Sequence, residues 1–279
     1  RSAVRPKPGE TVRDRVGGER ARKARWRPML TLLGVLVALY FGLLALLFVL
    51  QRQFIYLPDA RRADLATVGA VELMEAVDLT AADGMATVSW YRPPAGPEHA
   101  VLDLFQGNAG NIGDRLYKIA TFVQEGWGVM LVGYRGFGGN PGRPTEAGLY
   151  ADARAALRFL QERGIGPERL VLYGESLGSG VATEMALETK ARALILEAPF
   201  TSIADMAQQR FPFFPARWLV LDRFDTIGKI GRVGIPVLVL HGERDGVTPA
   251  ELGRRVYAAA GEPKRLRVFP DAGHVDLFE

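Results

Sequence analysis

An α/β domain preceded by a single membrane-spanning helix is the fold class this sequence predicts. Three observations predict it. Short apolar runs alternate with helical patterns from Val101 onward, as in a parallel sheet with right-handed crossovers. Residues 174–178, Gly-Glu-Ser-Leu-Gly, join one such run to a helical pattern through what must be a sharp turn. Residues 29–50 are predominantly apolar and carry no charge.

The N-terminal elements come first. Residues 1–28 hold ten Lys or Arg against three Asp or Glu, a net charge of +7. With Pro6, Pro8, Gly17 and Gly18 among them, they read as a disordered tail. The 22 residues from Met29 to Leu50 would span about 33 Å as a helix, enough to cross a bilayer. The flank Val49-Leu50-Gln51-Arg52-Gln53 lacks the small residues of a signal-peptidase site, so an uncleaved anchor is expected. The basic residues before the anchor outnumber Arg52, Arg61 and Arg62 after it. The positive-inside rule then puts the tail in the cytoplasm and the rest outside it, in the periplasm if the source is bacterial. The tail's charge reads as a topological signal rather than a lipid-binding patch.

From residue 51 onward the chain holds 25 basic and 28 acidic residues, a net of −3. The basic excess lies outside the folded part, so nucleic acid is not an expected partner. These 229 residues suffice for one α/β domain over 51–279. There is no cysteine, which excludes disulfides, a thiol nucleophile and palmitoyl anchoring. Three scattered histidines give no metal-ligand cluster, and neither a metal nor a cofactor is expected.

Within that domain, Val71–Leu79 and Ala86–Tyr91 read as opening antiparallel strands around the turn Ala82-Asp83-Gly84. Val101–Phe105 is the next strand. Asp103 inside it needs a partner or a place near the strand end, because a buried carboxylate is costly alone. The loop Gln106–Asn111 leads into a helix from Ile112. Val129–Gly133 is a short buried strand, and Thr145 caps a helix running to Gln161. Arg169–Tyr173 precedes the Gly-Glu-Ser-Leu-Gly turn, and Val181–Leu187 follows it as helix. Arg192–Glu197, Pro236–Leu240 and Leu266–Phe269 read as further strands. Between them, about 199–234, lies an aromatic-rich insertion containing Phe211, Phe213, Phe214, Trp218 and Phe224. Such side chains could line an acyl pocket or meet a membrane, but ordinary packing on the core is expected for most of them.

The turn at 174–178 carries the chemistry. Its glycines allow a cramped backbone that lifts Ser176 Oγ above the sheet. A serine hydroxyl needs a base, and the base needs a carboxylate to orient it. In the chain order serine, acid, histidine, only His274 leaves room for an acid on a separate loop. His241 precedes the acid and reads as a loop-stabilising residue. Asp245, just past the strand Pro236–Leu240, is the first acid candidate, with Glu243 and Asp271 as competitors. The oxyanion formed on attack needs N–H donors. The Leu177 amide is one candidate, and Asn108, with Ala109 second, is the other. A phosphate-binding reading of the Gly107–Gly110 loop lacks the following Gly-Lys pattern.

With Phe54–Pro58, Gly107–Asn111, Tyr134–Gly138, Pro144-Thr145-Glu146, Gly174–Gly178, Glu197–Phe200, His241–Asp245 and Ala272-Gly273-His274 in this order, the chain resembles the α/β-hydrolase superfamily. More narrowly it resembles single-pass, membrane-anchored serine hydrolases, from about Gln53 to the last residue. The resemblance implies a mostly parallel eight-stranded sheet flanked by helices, with the insertion about 199–234 as a small cap over the active site. It also implies a Ser176–Asp245–His274 triad and hydrolysis of acyl esters or thioesters. Where relatives carry histidine before the Gly-Asn-Ala-Gly loop, this chain has Gln106. Such domains also close with a helix after the histidine, so a trimmed C-terminus is expected here. A peptidase with the same triad, or a silent membrane-tethered binding protein, are the alternatives.

Overall fold

The computed structural model describes residues 12–277. The chain divides into two units, Arg1–Leu50 and Gln51–Glu279. Helix α1 runs from Val12 to Ile55. Its portion Trp26–Ile55 is long and apolar enough to cross a membrane. The disordered tail expected over residues 1–28 is therefore helical from Val12, and residues 1–11 lie outside the described residues. The reason is composition: Arg, Lys, Ala and Glu are strong helix formers, and they dominate residues 12–28 despite Gly17 and Gly18.

The second unit is built on an eight-stranded sheet. A two-residue strand β1 (Leu57–Pro58) comes first. Then come β2 (Glu75–Thr80), β3 (Ala86–Arg92), β4 (Val101–Phe105), β5 (Ala109–Gly110) and β6 (Gly128–Val132). They are followed by β7 (Leu170–Glu175), β8 (Ala193–Glu197), β9 (Val237–Gly242) and β10 (Lys264–Phe269). Strands β1 and β5 form a separate parallel pair. The main sheet has the order β10-β9-β8-β7-β4-β6-β3-β2. It is parallel from β10 to β6, and β3 alone runs against the other strands, pairing antiparallel with both β6 and β2. The opening antiparallel strand β2 thus begins at Glu75 rather than Val71.

Helices α2 (Leu116–Gln124), α3 (Glu146–Glu162), α4 (Leu177–Glu188) and α8 (Ala250–Ala259) form the crossovers. Thr145 accepts a hydrogen bond from the Gly148 amide and caps α3, as its sequence predicts. Leu149, Ala153, Val181, Met185, Leu252 and Val256 cover one face of the sheet, while Ile112 and Ile119 cover the other. Burial on both faces explains why β4, β6 and β7 are buried at every position.

Asp103 departs from expectation. It is fully buried at the middle of β4, between Met130 and Leu172, and neither carboxyl oxygen has a hydrogen-bond partner among the described residues. Burial pushes its carboxyl well above the usual range, toward the neutral form.

The insertion holds α5 (Ile203–Arg210), α6 (Ala216–Leu219) and α7 (Ile227–Ile230). Its aromatics do not mostly pack inward. Phe224 is buried, but Phe213, Trp218, Leu221 and Phe211 are 88%, 82%, 52% and 37% exposed. Three prolines within 199–216 and the four-residue α6 leave too little regular structure to bring these rings onto the sheet.

Candidate active site

Three side chains, distant in sequence, meet at the carboxyl ends of β7, β9 and β10, where ligands bind in sheets of this kind. Ser176 directly follows β7 and has φ 50° and ψ −115°, a conformation most side chains avoid. The surroundings hold it there. Its amide donates to the Glu197 carbonyl at 2.9 Å, and its own carbonyl accepts from Ser179 N–H at 2.9 Å. The two glycines of the motif are sterically required. A Cβ on Gly178 would run into the Phe105 and Gln106 carbonyls, and one on Gly174 would meet Ser179 and Ala182.

Ser176 Oγ lies 3.1 Å from His274 Nε2, and His274 Nδ1 lies 2.7 Å from Asp245 Oδ2. Asp245 is itself fixed. Its Oδ1 accepts the Val247 and Thr248 amides, each at 2.8 Å, and its Oδ2 accepts the Thr248 hydroxyl at 2.8 Å. Burial alone would raise this carboxyl. Hydrogen bonds from His241, His274 and the Thr248 amide outweigh it and hold Asp245 well below the usual carboxylate range. An anion of that kind keeps one imidazole tautomer, with Nδ1–H toward the acid and Nε2 free to accept the serine proton.

The rival assignments fall elsewhere. Glu243 pairs with Arg254, and Asp271, largely exposed, pairs with Arg244. His241 is fully buried, with Nε2 2.7 Å from the Thr248 carbonyl, and supports the Asp245 loop as its position implies.

Leu177 is the first residue of α4, so its N–H has no acceptor within the helix. The loop after β4 is pinned beside it. Asn108 donates from its side chain to the Ile55 carbonyl, and its own carbonyl accepts the Leu57 amide. A Cβ on Gly107 would stand 3.5 Å from Ser176 Cβ, so this loop abuts the nucleophile turn. Gln106 is buried, and neither of its side-chain polar atoms has a hydrogen-bond partner among the described residues.

Sequence reasoning missed a buried ion cluster beneath the turn. Arg115 donates to both oxygens of Glu175, at 2.9 and 3.2 Å, and also to the Asn111 carbonyl at 3.2 Å. Lys118 Nζ lies 2.5 Å from Glu197 and 3.5 Å from Glu175, and Tyr173 donates to Glu197 at 2.6 Å. Burial works against the charge on Glu175, but Arg115 and Lys118 prevail and lower it. Burial prevails at Glu197, which is raised. The one signal available was Glu175 inside the motif and Glu197 at a strand end, each a charge in an otherwise apolar run.

Likeness to known proteins agrees with this architecture. A family model described as serine aminopeptidase, S33, matches residues 96–228. An uncharacterized protein of Mycobacterium tuberculosis is 38% identical over 91% of this chain and 90% of its own length. The uncharacterized protein YfhR of Escherichia coli is 33% identical over 73% of this chain and 74% of its own. Lysophosphatidylserine lipase ABHD12 of Danio rerio is 35% identical over 63% of this chain and 51% of its own. Among solved structures, an α/β hydrolase from Vibrio vulnificus superposes with a TM-score of 0.65 at 22% identity, over 77% of this chain and 82% of that one. A Pyrococcus furiosus esterase does so with a TM-score of 0.62 at 16% identity, over 79% and 89%. Sheet order, nucleophile turn and sequence likeness converge, and the chain belongs to the α/β-hydrolase superfamily.

Proposed function

We propose that this protein is a membrane-anchored serine hydrolase that cleaves carboxylic esters or thioesters through an acyl-enzyme. The reading rests on one observation above all, the hydrogen-bonded series Ser176–His274–Asp245 at 3.1 and 2.7 Å. Ser176 Oγ attacks the acyl carbon while His274 Nε2 takes its proton. The tetrahedral oxyanion accepts hydrogen bonds from the Leu177 and Asn108 amides. His274 then gives its proton to the departing alcohol or thiol, the carbonyl re-forms, and the acyl group stays on Ser176. Water, deprotonated by His274, attacks that acyl carbon. The acid leaves and the proton returns to Ser176. Asp245 remains ionised throughout and stabilises the imidazolium.

Residues 29–50 anchor the enzyme in a bilayer, with the N-terminus in the cytoplasm and residues 51–279 outside it, in the periplasm if the source is bacterial. A reporter fused after Glu279 is active only on the extracytoplasmic side in this reading, and cytoplasmic activity contradicts it. The esterase and lipase named among the similar proteins favour an ester substrate. The family description favours a second reading, an aminopeptidase with the same residues. A substrate panel separates them. Turnover of p-nitrophenyl esters and acyl thioesters, with little on aminoacyl p-nitroanilides, is expected. The reverse order would select the peptidase.

A further inference from the structure

Two features of the second unit converge on one surface. The first is a set of exposed apolar side chains on the insertion, Phe211, Trp218 and Leu221. The second is how that segment is tied down. Gln51 donates from its amide to the Leu219 carbonyl at 3.4 Å and accepts the Leu221 amide at 2.8 Å. Arg52 forks onto Asp222, with contacts of 2.8 and 3.3 Å, and Asp222 is buried. Asp222 also accepts the Glu146 amide at 3.2 Å, which joins the same point to the start of α3. Gln51 and Arg52 are the first polar residues after the uncharged stretch 29–50.

Covalent continuity then sets the depth. Where residues 29–50 fill the hydrocarbon, Gln51 and Arg52 stand at its boundary, since one residue advances a helix by about 1.5 Å. Leu219, Leu221 and Asp222, held to them by hydrogen bonds, lie within the polar layer of the same leaflet, which is roughly 5–8 Å deep. Trp218 adjoins them. An exposed tryptophan there has its rings where tryptophan is most favoured in membrane proteins. Arg210, Arg217 and Arg223 are also exposed on the insertion, Arg217 beside Asp205, and such basic side chains suit anionic headgroups. The insertion also starts at the reactive rim: Glu197, whose carbonyl holds the Ser176 amide, is followed within six residues by α5.

We infer that the Phe211, Trp218 and Leu221 face seats in the headgroup–acyl boundary of the bilayer and opens the Ser176 site to ester lipids drawn from that leaflet. The inference rests on the anchored-hydrolase reading and deepens it by naming where the substrate comes from. Such a face, exposed on a water-soluble protein, would otherwise be an aggregation hazard.

The absence of cysteine makes the test clean. Single variants Trp218→Cys, Leu221→Cys, Leu39→Cys and Lys190→Cys of the full chain are labelled with a nitroxide in lipid nanodiscs. Collision rates with oxygen and with a water-soluble nickel chelate are then read by electron paramagnetic resonance. Positions 218 and 221 are expected to favour oxygen, at a depth between position 39 and the aqueous reference 190. Values equal to those at 190, with 39 in the membrane, overturn the inference while leaving the anchor intact. Low collision with both reagents means a second protein copy covers the face, and also overturns it. An aqueous signal at 39 removes the anchor and this inference together. In activity, Trp218→Ser combined with Leu221→Ser should lower the ratio of turnover on a vesicle-embedded long-chain ester to turnover on p-nitrophenyl acetate by about tenfold. An unchanged ratio contradicts the inference. Loss of turnover on both esters, with the fold intact, contradicts it as well.

Discussion

The turn at Ser176 and the insertion around Trp218 are opposites in construction. In the turn, every residue from Gly174 to Gly178 is buried, neighbouring backbone leaves no room for a Cβ at either glycine, and Ser176 is held at positive φ. In the insertion, large apolar rings face outward. Short helices and turns form its backbone, and polar side chains tie them together: Gln208 donates to the Phe214 carbonyl and accepts the Arg217 amide, and Gln51 accepts the Leu221 amide. The contrast teaches how the two jobs divide. Chemistry needs one geometry that nothing local can relax, so the strain at Ser176 is carried by the sheet beneath it. An exposed segment of short helices and turns offers accessible apolar area without disturbing the core.

Substitutions can break this contrast, beginning with the largest effect. Ser176→Ala should lower kcat by about 10⁶-fold in a steady-state ester assay, if the three side chains act as a unit. A variant retaining a tenth of the activity would remove Ser176 from the chemistry. Asp245→Asn should leave the fold intact and lower kcat by roughly 10⁴-fold, because the imidazole then settles in the wrong tautomer. Equal activity in wild type and variant would make Glu243 or Asp271 the acid after all.

Stability reads the same contrast. Gly178→Ala should destabilise by about 3 kcal/mol or prevent folding, since its methyl meets the Phe105 carbonyl. At the other extreme, Trp218→Ser should change stability by less than about 0.5 kcal/mol in urea denaturation. Comparable losses at the two sites would erase the distinction.

Asp103 gives an intermediate effect with a pH signature. Its folded-state carboxyl is raised, so folding takes up a proton over a window that starts near the ordinary carboxylate pKa and extends upward. In that window stability falls as pH rises, by up to about 1.4 kcal/mol per pH unit from this group. Asp103→Asn should remove this slope, measured by urea denaturation between pH 4 and pH 8, about the usual carboxylate range and above. An unchanged slope would mean the carboxyl finds a partner in solution.

Much of the site was legible because local chemistry announces it. Ser176 sits in a turn whose glycines are explained by neighbouring carbonyls, Asp245 follows the apolar strand β9, and His274 follows β10, which ends in the apolar pair Val268-Phe269. What sequence left open was the choice among Asp245, Glu243 and Asp271, because loop carboxylates look alike until their partners are known. The Arg115–Glu175 and Lys118–Glu197 pairs were illegible for another reason. They join residues 60 and 79 positions apart, and no spacing rule links them. Asp103 was noticed but misjudged, since pattern reasoning supplies a buried carboxylate with a partner where this one is left to burial alone. The insertion misled because an aromatic run is the same in sequence whether it faces the core or water. Helix over residues 12–28 was overlooked because charge was weighed above propensity.

The central claim is that Ser176 is made nucleophilic by His274 and Asp245, and one labelling experiment tests it most directly. The full chain is treated with a fluorophosphonate probe, digested, and the modified peptide located by mass spectrometry. The account predicts a single phosphonyl adduct on Ser176, with labelling slowed by at least about 10²-fold in His274→Ala and Asp245→Asn. An adduct on another serine, or labelling of Ser176 at an undiminished rate in both variants, would contradict it.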